Sequence, residues 1–166
     1  SIYKEGSLDN YDSVFLVGKF QIPSIKFLEN KRKTIKKNLI VTGAPYLDYL
    51  LENKIKKNSN GNTVLVASSW GSKGCLKTYG IKFITDLSDN GFEIILRPHP
   101  QSNISEPEYI NYCKNKLSKF SNIKWDETSS PLISMSKADI LISDTSSIRF
   151  DFFFLYSKPI ITLEID

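Results

Sequence analysis

The chain has 166 residues, 40% of them hydrophobic and 24% charged, which is typical of one globular domain and excludes collagen and disordered tails. Its net charge is +4, and its two cysteines, Cys75 and Cys113, are too few and too far apart for a disulfide scaffold. The single histidine, His99, excludes metal sites built from several histidines, and no apolar run approaches the ~18 residues of a membrane-spanning helix.

Short apolar runs alternate with amphipathic stretches in the first part of the chain. The sequence predicts, in chain order, a strand over 13–17, a helix over 22–33, a strand over 38–42, a helix that begins at Pro45 and a polar linker over 56–62.

The alternation becomes stricter from residue 63 onward. The sequence predicts strands over 63–67, 92–96, 123–125, 138–142 and 159–163, with helices between them over 75–90, 107–120, 130–135 and 147–156. Strands of consecutive β-branched residues that alternate with helices indicate a parallel sheet covered on both faces. The predicted fold class is therefore α/β, with a Rossmann-like, doubly wound parallel sheet.

Ligands of such sheets bind at the carboxyl ends of the strands, so the residues that follow each strand are informative. Two prolines surround His99 after the strand over 92–96, and Arg97 precedes them. A guanidinium suits phosphate, and an imidazole donates to a phosphate oxygen or exchanges a proton near neutral pH. We predict a functional histidine here, the alternative being an imidazole satisfied by nearby backbone.

Two further strand ends carry small or hydroxyl-bearing residues. Ser68, Ser69, Trp70 and Gly71 follow one buried strand, where small residues let a ligand approach the backbone. Three consecutive hydroxyl residues, Thr145, Ser146 and Ser147, lie where the last predicted helix begins. Asp151 follows Ser147 by four residues, which is about one helical turn. Hydroxyls and N–H groups at the start of a helix form an anion-binding site. Together with Arg97 and His99, this site indicates that the protein binds a nucleotide diphosphate or a comparable anion.

Five segments together resemble the CDP-glycerol glycerophosphotransferase family, whose members prime or polymerise glycerol phosphate chains of the teichoic-acid type. These segments are Gly43–Asp48, Ala67–Gly71, Arg97–Pro100, Ala138–Phe152 and Lys158–Ile160. The resemblance covers about residues 40–163. It implies that residues 36–166 are the Rossmann-like, C-terminal, donor-binding half of a two-domain GT-B-type transferase, whose general base lies in the N-terminal half. Residues 1–35 would then be the tail of the preceding domain or a crossover segment.

The resemblance also implies roles for individual residues. His99 and Asp151 are the predicted catalytic residues, and the donor phosphates are assigned to Arg97, Thr145, Ser146 and Ser147. Contacts with the nucleoside or the glyceryl group are assigned to Ser68, Ser69, Trp70, Gly71, Asp126, Glu127, Thr128 and Asp144. No metal and no cofactor are expected.

The expected reaction transfers glycerol phosphate from CDP-glycerol, or another nucleotide-activated donor, to a hydroxyl of a polymer or lipid-linked acceptor. The alternatives are a CMP- or UDP-sugar glycosyltransferase that resembles polysialyltransferases, and a non-enzymatic nucleotide-binding domain. Basic residues cluster in 26–37 and 54–57, which indicates a solvated helix face or, as the alternative, peripheral contact with an anionic membrane. We expect a cytoplasmic protein, at the inner face of the membrane in that alternative, and no nucleic-acid partner.

Overall fold

The computed structural model describes residues 3–165 and divides the chain into two compact units, the first ending at Tyr49 and the second beginning at Leu50. In the first unit, strands β1 (Ser13–Leu16) and β2 (Asn38–Val41) pair in parallel. Helix α1 (Ile22–Arg32) connects them, as a parallel pair requires. This unit is a β-α-β arrangement with its own two-stranded sheet.

Strand β2 belongs to the two-stranded sheet of the first unit. The sequence placed the strand over 38–42 in the large domain, but β2 pairs with β1 instead. The compact unit that follows begins at Leu50, and the assignment of residues 36–166 to one domain stays a prediction. A short apolar run looks the same whichever strand it pairs with, so the sequence pattern alone left this pairing open.

The second unit contains a five-stranded sheet in which every neighbouring pair of strands is parallel. Its strands are β3 (Thr63–Ser68), β4 (Glu93–Pro98), β5 (Ile123–Trp125), β6 (Ile140–Ser143) and β7 (Ile160–Thr162). Its helices are α2 (Pro45–Glu52), which spans the boundary, α3 (Cys75–Tyr79), α4 (Lys82–Asp89), α5 (Pro100–Ser105), α6 (Pro107–Leu117), α7 (Leu132–Lys137) and α8 (Ile148–Tyr156). The predicted α/β fold with a doubly wound parallel sheet is confirmed.

Alternate residues of the central strand β3 enter two separate cores. Val64 and Val66 pack with Leu76, Ile84, Ile110 and Leu117 on one face of the sheet. Leu65 and Ala67 pack with Leu50, Met135, Phe152 and Leu155 on the other face. All six residues of β3 are buried, as expected for a strand covered on both sides, and each fully buried Leu, Val or Phe contributes about 1.5–3 kcal/mol.

Two helical segments differ from the sequence prediction. The helix expected over 75–90 is divided into α3 and α4, because Gly80 between them adopts φ 67° and ψ −161°, outside the helical region. Helix α5 lies in the stretch after β4 for which the sequence predicts no helix. Pro100 is the first residue of α5, a position where proline's fixed φ favours a helix.

The order of the strands across the sheet is β5-β4-β3-β6-β7. The chain leaves β3 toward β4 and β5, and it then crosses to the other side for β6 and β7. The direction of winding therefore changes between β3 and β6, and their carboxyl ends border the crevice where doubly wound sheets bind ligands. The loops after Ser68 and Ser143 meet at this position.

Candidate functional site

The carboxylate of Asp144 is completely buried between the ends of β3 and β6. Its Oδ2 accepts hydrogen bonds from the backbone N–H groups of Ser69 and Cys75, each at 2.8 Å. Its Oδ1 accepts from the Ser69 hydroxyl at 2.6 Å and from the N–H of Ser146 at 3.1 Å. Asp144 thereby joins the loop after β3, the start of α3 and the turn before α8.

The environment of Asp144 keeps it ionised. Burial by itself raises the pKa of this carboxyl, but the hydrogen bonds from Ser69, Cys75 and Ser146 outweigh burial, and the pKa is lowered overall. The neighbouring thiol of Cys75 behaves in the opposite way, because burial raises its pKa to about 12. Cys75 is therefore a protonated, structural cysteine and not a nucleophile.

The loop after β3 has a tightly closed backbone. The Ser68 hydroxyl donates to the backbone oxygen of Ser69 at 2.7 Å and accepts from the N–H of Leu76 at 3.1 Å. A Cβ atom on Gly74 would lie 2.2 Å from the Ser69 oxygen, so only glycine fits there. The loop leaves the Trp70 side chain 50% exposed, where a ligand can reach its indole.

Glu106 holds the same loop from the opposite side. Its Oε1 accepts from the N–H of Gly71 at 3.1 Å, and its Oε2 pairs with the ammonium of Lys77 at 2.9 Å. Burial raises the pKa of Glu106, but these two donors outweigh it and lower the pKa overall. No local sequence pattern indicates a role for Glu106, because its partner Gly71 lies 35 positions away.

The imidazole of His99 caps helix α5. Its Nδ1 accepts a hydrogen bond from the N–H of Gln101 at 3.1 Å, and its backbone oxygen accepts from Ser102 at 2.8 Å. An accepting Nδ1 carries no proton, so in this geometry the ring N–H is at Nε2. The side chain is exposed, and its Nε2–H is therefore a donor that a ligand can reach.

Arg97 is turned toward the protein interior and is only 8% exposed. Its guanidinium pairs with Asp126 at 2.7 Å and donates to the backbone oxygens of Thr128 and Ser129 at 2.8 and 3.3 Å. These bonds fix the loop after β5. The structure thus shows a supporting role for Arg97, and the expected contact with donor phosphate stays a prediction.

Asp126 is the centre of the loop after β5. Besides Arg97, it accepts from the N–H of Thr128 at 3.0 Å and from the Ser134 hydroxyl. Burial raises the pKa of Asp126, but the hydrogen bonds from Ser134, Thr128 and Arg97 outweigh burial and lower it. Glu127 lies at the surface instead, where it pairs with Lys114 at 2.9 Å.

The turn before α8 carries the predicted phosphate-binding hydroxyls. Thr145 and Ser147 are exposed and Ser146 is half-buried, and the Ser147 hydroxyl does not cap the helix. Arg149 does not neutralise Asp151, because its guanidinium binds the Ser146 oxygen at 3.1 Å and the Thr162 hydroxyl at 3.2 Å.

Asp151 differs from the other carboxylates of the site. It lies on the first turn of α8 and is half-buried, and its carboxylate has no hydrogen-bond or ion-pair partner among residues 3–165. Burial consequently raises its pKa. A half-buried carboxylate that lacks a partner in the free protein is a candidate for contact with a ligand.

The fold thus brings three of the predicted segments to one edge of the sheet, those around Ser69, His99 and Ser146. It encloses the side chains of Ser68, Arg97 and Asp144 in the protein. Within residues 3–165, no group of three or more His, Cys, Asp or Glu side chains is arranged to hold a metal ion. No helix in the same range is long and apolar enough to span a bilayer.

Comparisons with known proteins identify the family. The chain matches the family described as CDP-Glycerol:Poly(glycerophosphate) glycerophosphotransferase over residues 7–166. It also matches a solved structure of the wall teichoic acid polymerase TagF, with a TM-score of 0.48 and 19% identity over 90% of this chain, and it spans only 38% of that structure's length. No protein of curated function matches significantly. Because the family match covers almost the whole sequence, the chain belongs to the CDP-glycerol:poly(glycerophosphate) glycerophosphotransferase family.

Proposed function

We propose that the second unit binds CDP-glycerol, and that the enzyme containing it transfers glycerol phosphate to a hydroxyl of a polymer or lipid-linked acceptor. In this proposal, the unit is the C-terminal, donor-binding half of a two-domain GT-B-type transferase. Family membership supports the choice of donor. The observation that carries the proposed site is the bonding of Ser69 and Ser146 to one carboxylate at the change of winding direction.

The diphosphate would lie against the turn before α8. The hydroxyls of Thr145 and Ser147 are exposed there, and the start of a nine-residue helix presents N–H groups and a positive dipole end to an anion. The Nε2–H of His99 is a further donor at the neighbouring strand ends. Hydroxyl, imidazole and backbone N–H groups of this kind donate hydrogen bonds to phosphate oxygens without requiring a buried cation.

The proposed reaction is a displacement at the β-phosphorus of CDP-glycerol. The acceptor oxygen forms a bond to this phosphorus while the bond to the bridging oxygen breaks, and CMP leaves with that electron pair. The acceptor proton passes to a base outside the second unit. His99 and the N–H groups near Ser147 stabilise charge on the phosphate oxygens, and Asp151 accepts a hydrogen bond from a glyceryl or ribose hydroxyl.

Calorimetry with three donors tests the proposed ligand. The chain is titrated with CDP-glycerol, CMP-sialic acid and UDP-GlcNAc under identical conditions. We expect CDP-glycerol to bind with the highest affinity. Preferential binding of CMP-sialic acid would favour a sugar transferase, and binding of UDP-GlcNAc without any cytidine nucleotide would overturn the proposal.

Membrane contact is a separate part of the proposal. Lys54, Lys56 and Lys57 form an exposed basic cluster in the second unit, and such clusters attract anionic lipid by about 1 kcal/mol per lysine. In this proposal the protein works in the cytoplasm at the inner face of the membrane. We expect the chain to sediment with phosphatidylglycerol vesicles and not with neutral ones, and replacement of the three lysines by glutamine to weaken sedimentation. Equal sedimentation of both proteins would exclude this surface.

A further inference from the structure

We propose that Asp144 and Glu106 are positioning residues, which hold the loop Ser69–Gly74 from two sides and thereby shape the donor site without touching the donor. This inference rests on the proposed function. It differs from the expectation that Asp144 contacts a nucleoside or glyceryl hydroxyl. The reason is accessibility: the Asp144 side chain is 0% exposed and that of Glu106 only 9%, so neither presents a free face to a ligand.

Asp144 can perform this role only as a carboxylate. Both of its oxygens accept, Oδ2 from the N–H groups of Ser69 and Cys75, and Oδ1 from the hydroxyl of Ser69 and the N–H of Ser146. An asparagine has the same shape but only one accepting oxygen. Its NH₂ group would face either the Ser69 and Cys75 N–H groups or the Ser146 N–H, and one of these contacts would be lost.

Glu106 holds the loop at a second point. Its bond to the N–H of Gly71 lies on the other side of Trp70 from the Ser69–Asp144 bonds. The backbone on both sides of Trp70 is thus tied to a carboxylate, and the same Asp144 also binds Ser146 before α8. The loop Ser69–Gly74, which contains Trp70, and the turn Thr145–Ser147 therefore cannot move independently, and together they form one surface toward the proposed CDP-glycerol site.

The test uses isosteric and matched variants. Asp144→Asn removes acceptor capacity, and Glu106→Ala removes the partner of Gly71, while Lys77→Ala leaves that bond in place. Asp139→Asn is the control for Asp144→Asn, because Asp139 accepts from the N–H groups of Gly61 and Thr63 at 2.9 and 3.2 Å next to the opposite end of β3. Each variant is measured for urea unfolding, for amide hydrogen exchange at Ser69 and Ser146, and for CDP-glycerol affinity.

We expect Asp144→Asn to weaken CDP-glycerol binding about tenfold or more and to accelerate exchange at both amides. Glu106→Ala should weaken binding by a smaller factor, and Lys77→Ala should change it little. Asp139→Asn should lower stability without changing donor affinity. Unchanged affinity in Asp144→Asn and Glu106→Ala, with a stability loss like that of Asp139→Asn, would overturn the inference.

The failure of the proposed function gives a different pattern. If the native chain binds no nucleotide, CDP-glycerol binding is refuted, and the exchange measurements alone decide whether the two carboxylates couple the loops. Faster exchange at both Ser69 and Ser146 in Asp144→Asn supports the coupling, and exchange that stays native at Ser146 contradicts it. If Asp144→Asn does not fold, the comparison of Glu106→Ala with Lys77→Ala tests the inference, which requires weaker CDP-glycerol binding in Glu106→Ala alone.

Discussion

Individual polar side chains of the site fall into two groups according to what they can reach. His99, Trp70 and the exposed hydroxyls of the turn before α8 face solvent. Arg97 and Asp144 are buried and satisfied by the protein. Residue type suggested ligand contact for both groups, because guanidinium and carboxylate groups suit substrates and internal networks equally well.

His99 allows its capping role to be separated from its proposed phosphate contact. Asparagine is a good helix cap, so His99→Asn should keep α5 in place, with unfolding free energy within about 0.5 kcal/mol of the native chain. It removes the Nε2–H donor, and CDP-glycerol affinity should fall about tenfold. Calorimetry and urea unfolding measure the two effects. Native affinity in His99→Asn would remove the imidazole from the donor site.

The ionised carboxylate of Asp151 should lower the stability of the fold and strengthen the binding of CDP-glycerol. A carboxyl whose pKa is raised in the folded state costs free energy once ionised, so this cost is absent below its ordinary pKa of about 4 and grows as pH rises through the folded-state pKa. Asp151→Asn should therefore raise the urea midpoint at pH 7, leave it unchanged at pH 3, and weaken CDP-glycerol binding. A lower midpoint at pH 7 would show that Asp151 has a stabilising partner in the fold.

At the scale of elements, the loop between β3 and α3 depends on a close approach of backbone segments. Gly74 has an ordinary φ of −87°, so its replacement by alanine is opposed by contact with Ser69 and not by backbone strain. Two other features are set by a single residue in the same way: Gly80 separates α3 from α4, and His99 caps α5. Each depends on one residue within an otherwise regular pattern.

Gly74→Ala should destabilise the protein and disturb the loop Ser69–Gly74. The new Cβ meets the Ser69 backbone oxygen, which cannot move without breaking its neighbours' bonds to Asp144, so we expect a loss of about 1–3 kcal/mol. Urea unfolding measures this loss. Ser72→Ala is the matched control, because Ser72 is exposed and its backbone oxygen accepts from the Thr78 hydroxyl, a bond that the substitution leaves in place. Equal stability of both variants would contradict the close approach.

At the scale of the whole molecule, the hydrogen-bonded carboxylates should make the fold sensitive to acid. Asp126, Asp139, Asp144 and Glu106 all have lowered pKa values, with burial outweighed by hydrogen bonds in each case. A lowered pKa means that stability is complete above the ordinary value of about 4 and is lost as pH falls through the folded-state pKa.

The urea midpoint should therefore be nearly constant between pH 7 and 5 and fall steeply below about pH 4. Asp126→Asn breaks the buried pair with Arg97, at a cost of about 3–5 kcal/mol at pH 7, and should show a shallower acid slope than the native chain. Unfolding curves from pH 7 to 3 measure both. A native slope in Asp126→Asn would mean that this carboxyl does not contribute.

The sequence by itself determined the α/β class, the order of the strands along the second unit, and the family. These follow from local information, because hydrophobic periodicity and short motifs are read from neighbouring residues. Only the tertiary structure decided that β2 pairs with β1, that Arg97 supports the loop after β5, and that Asp144 and Glu106 hold the Trp70 loop. The partners of these three side chains lie 29, 75 and 35 positions away, and such hydrogen bonds exist only once the strand ends have been brought together.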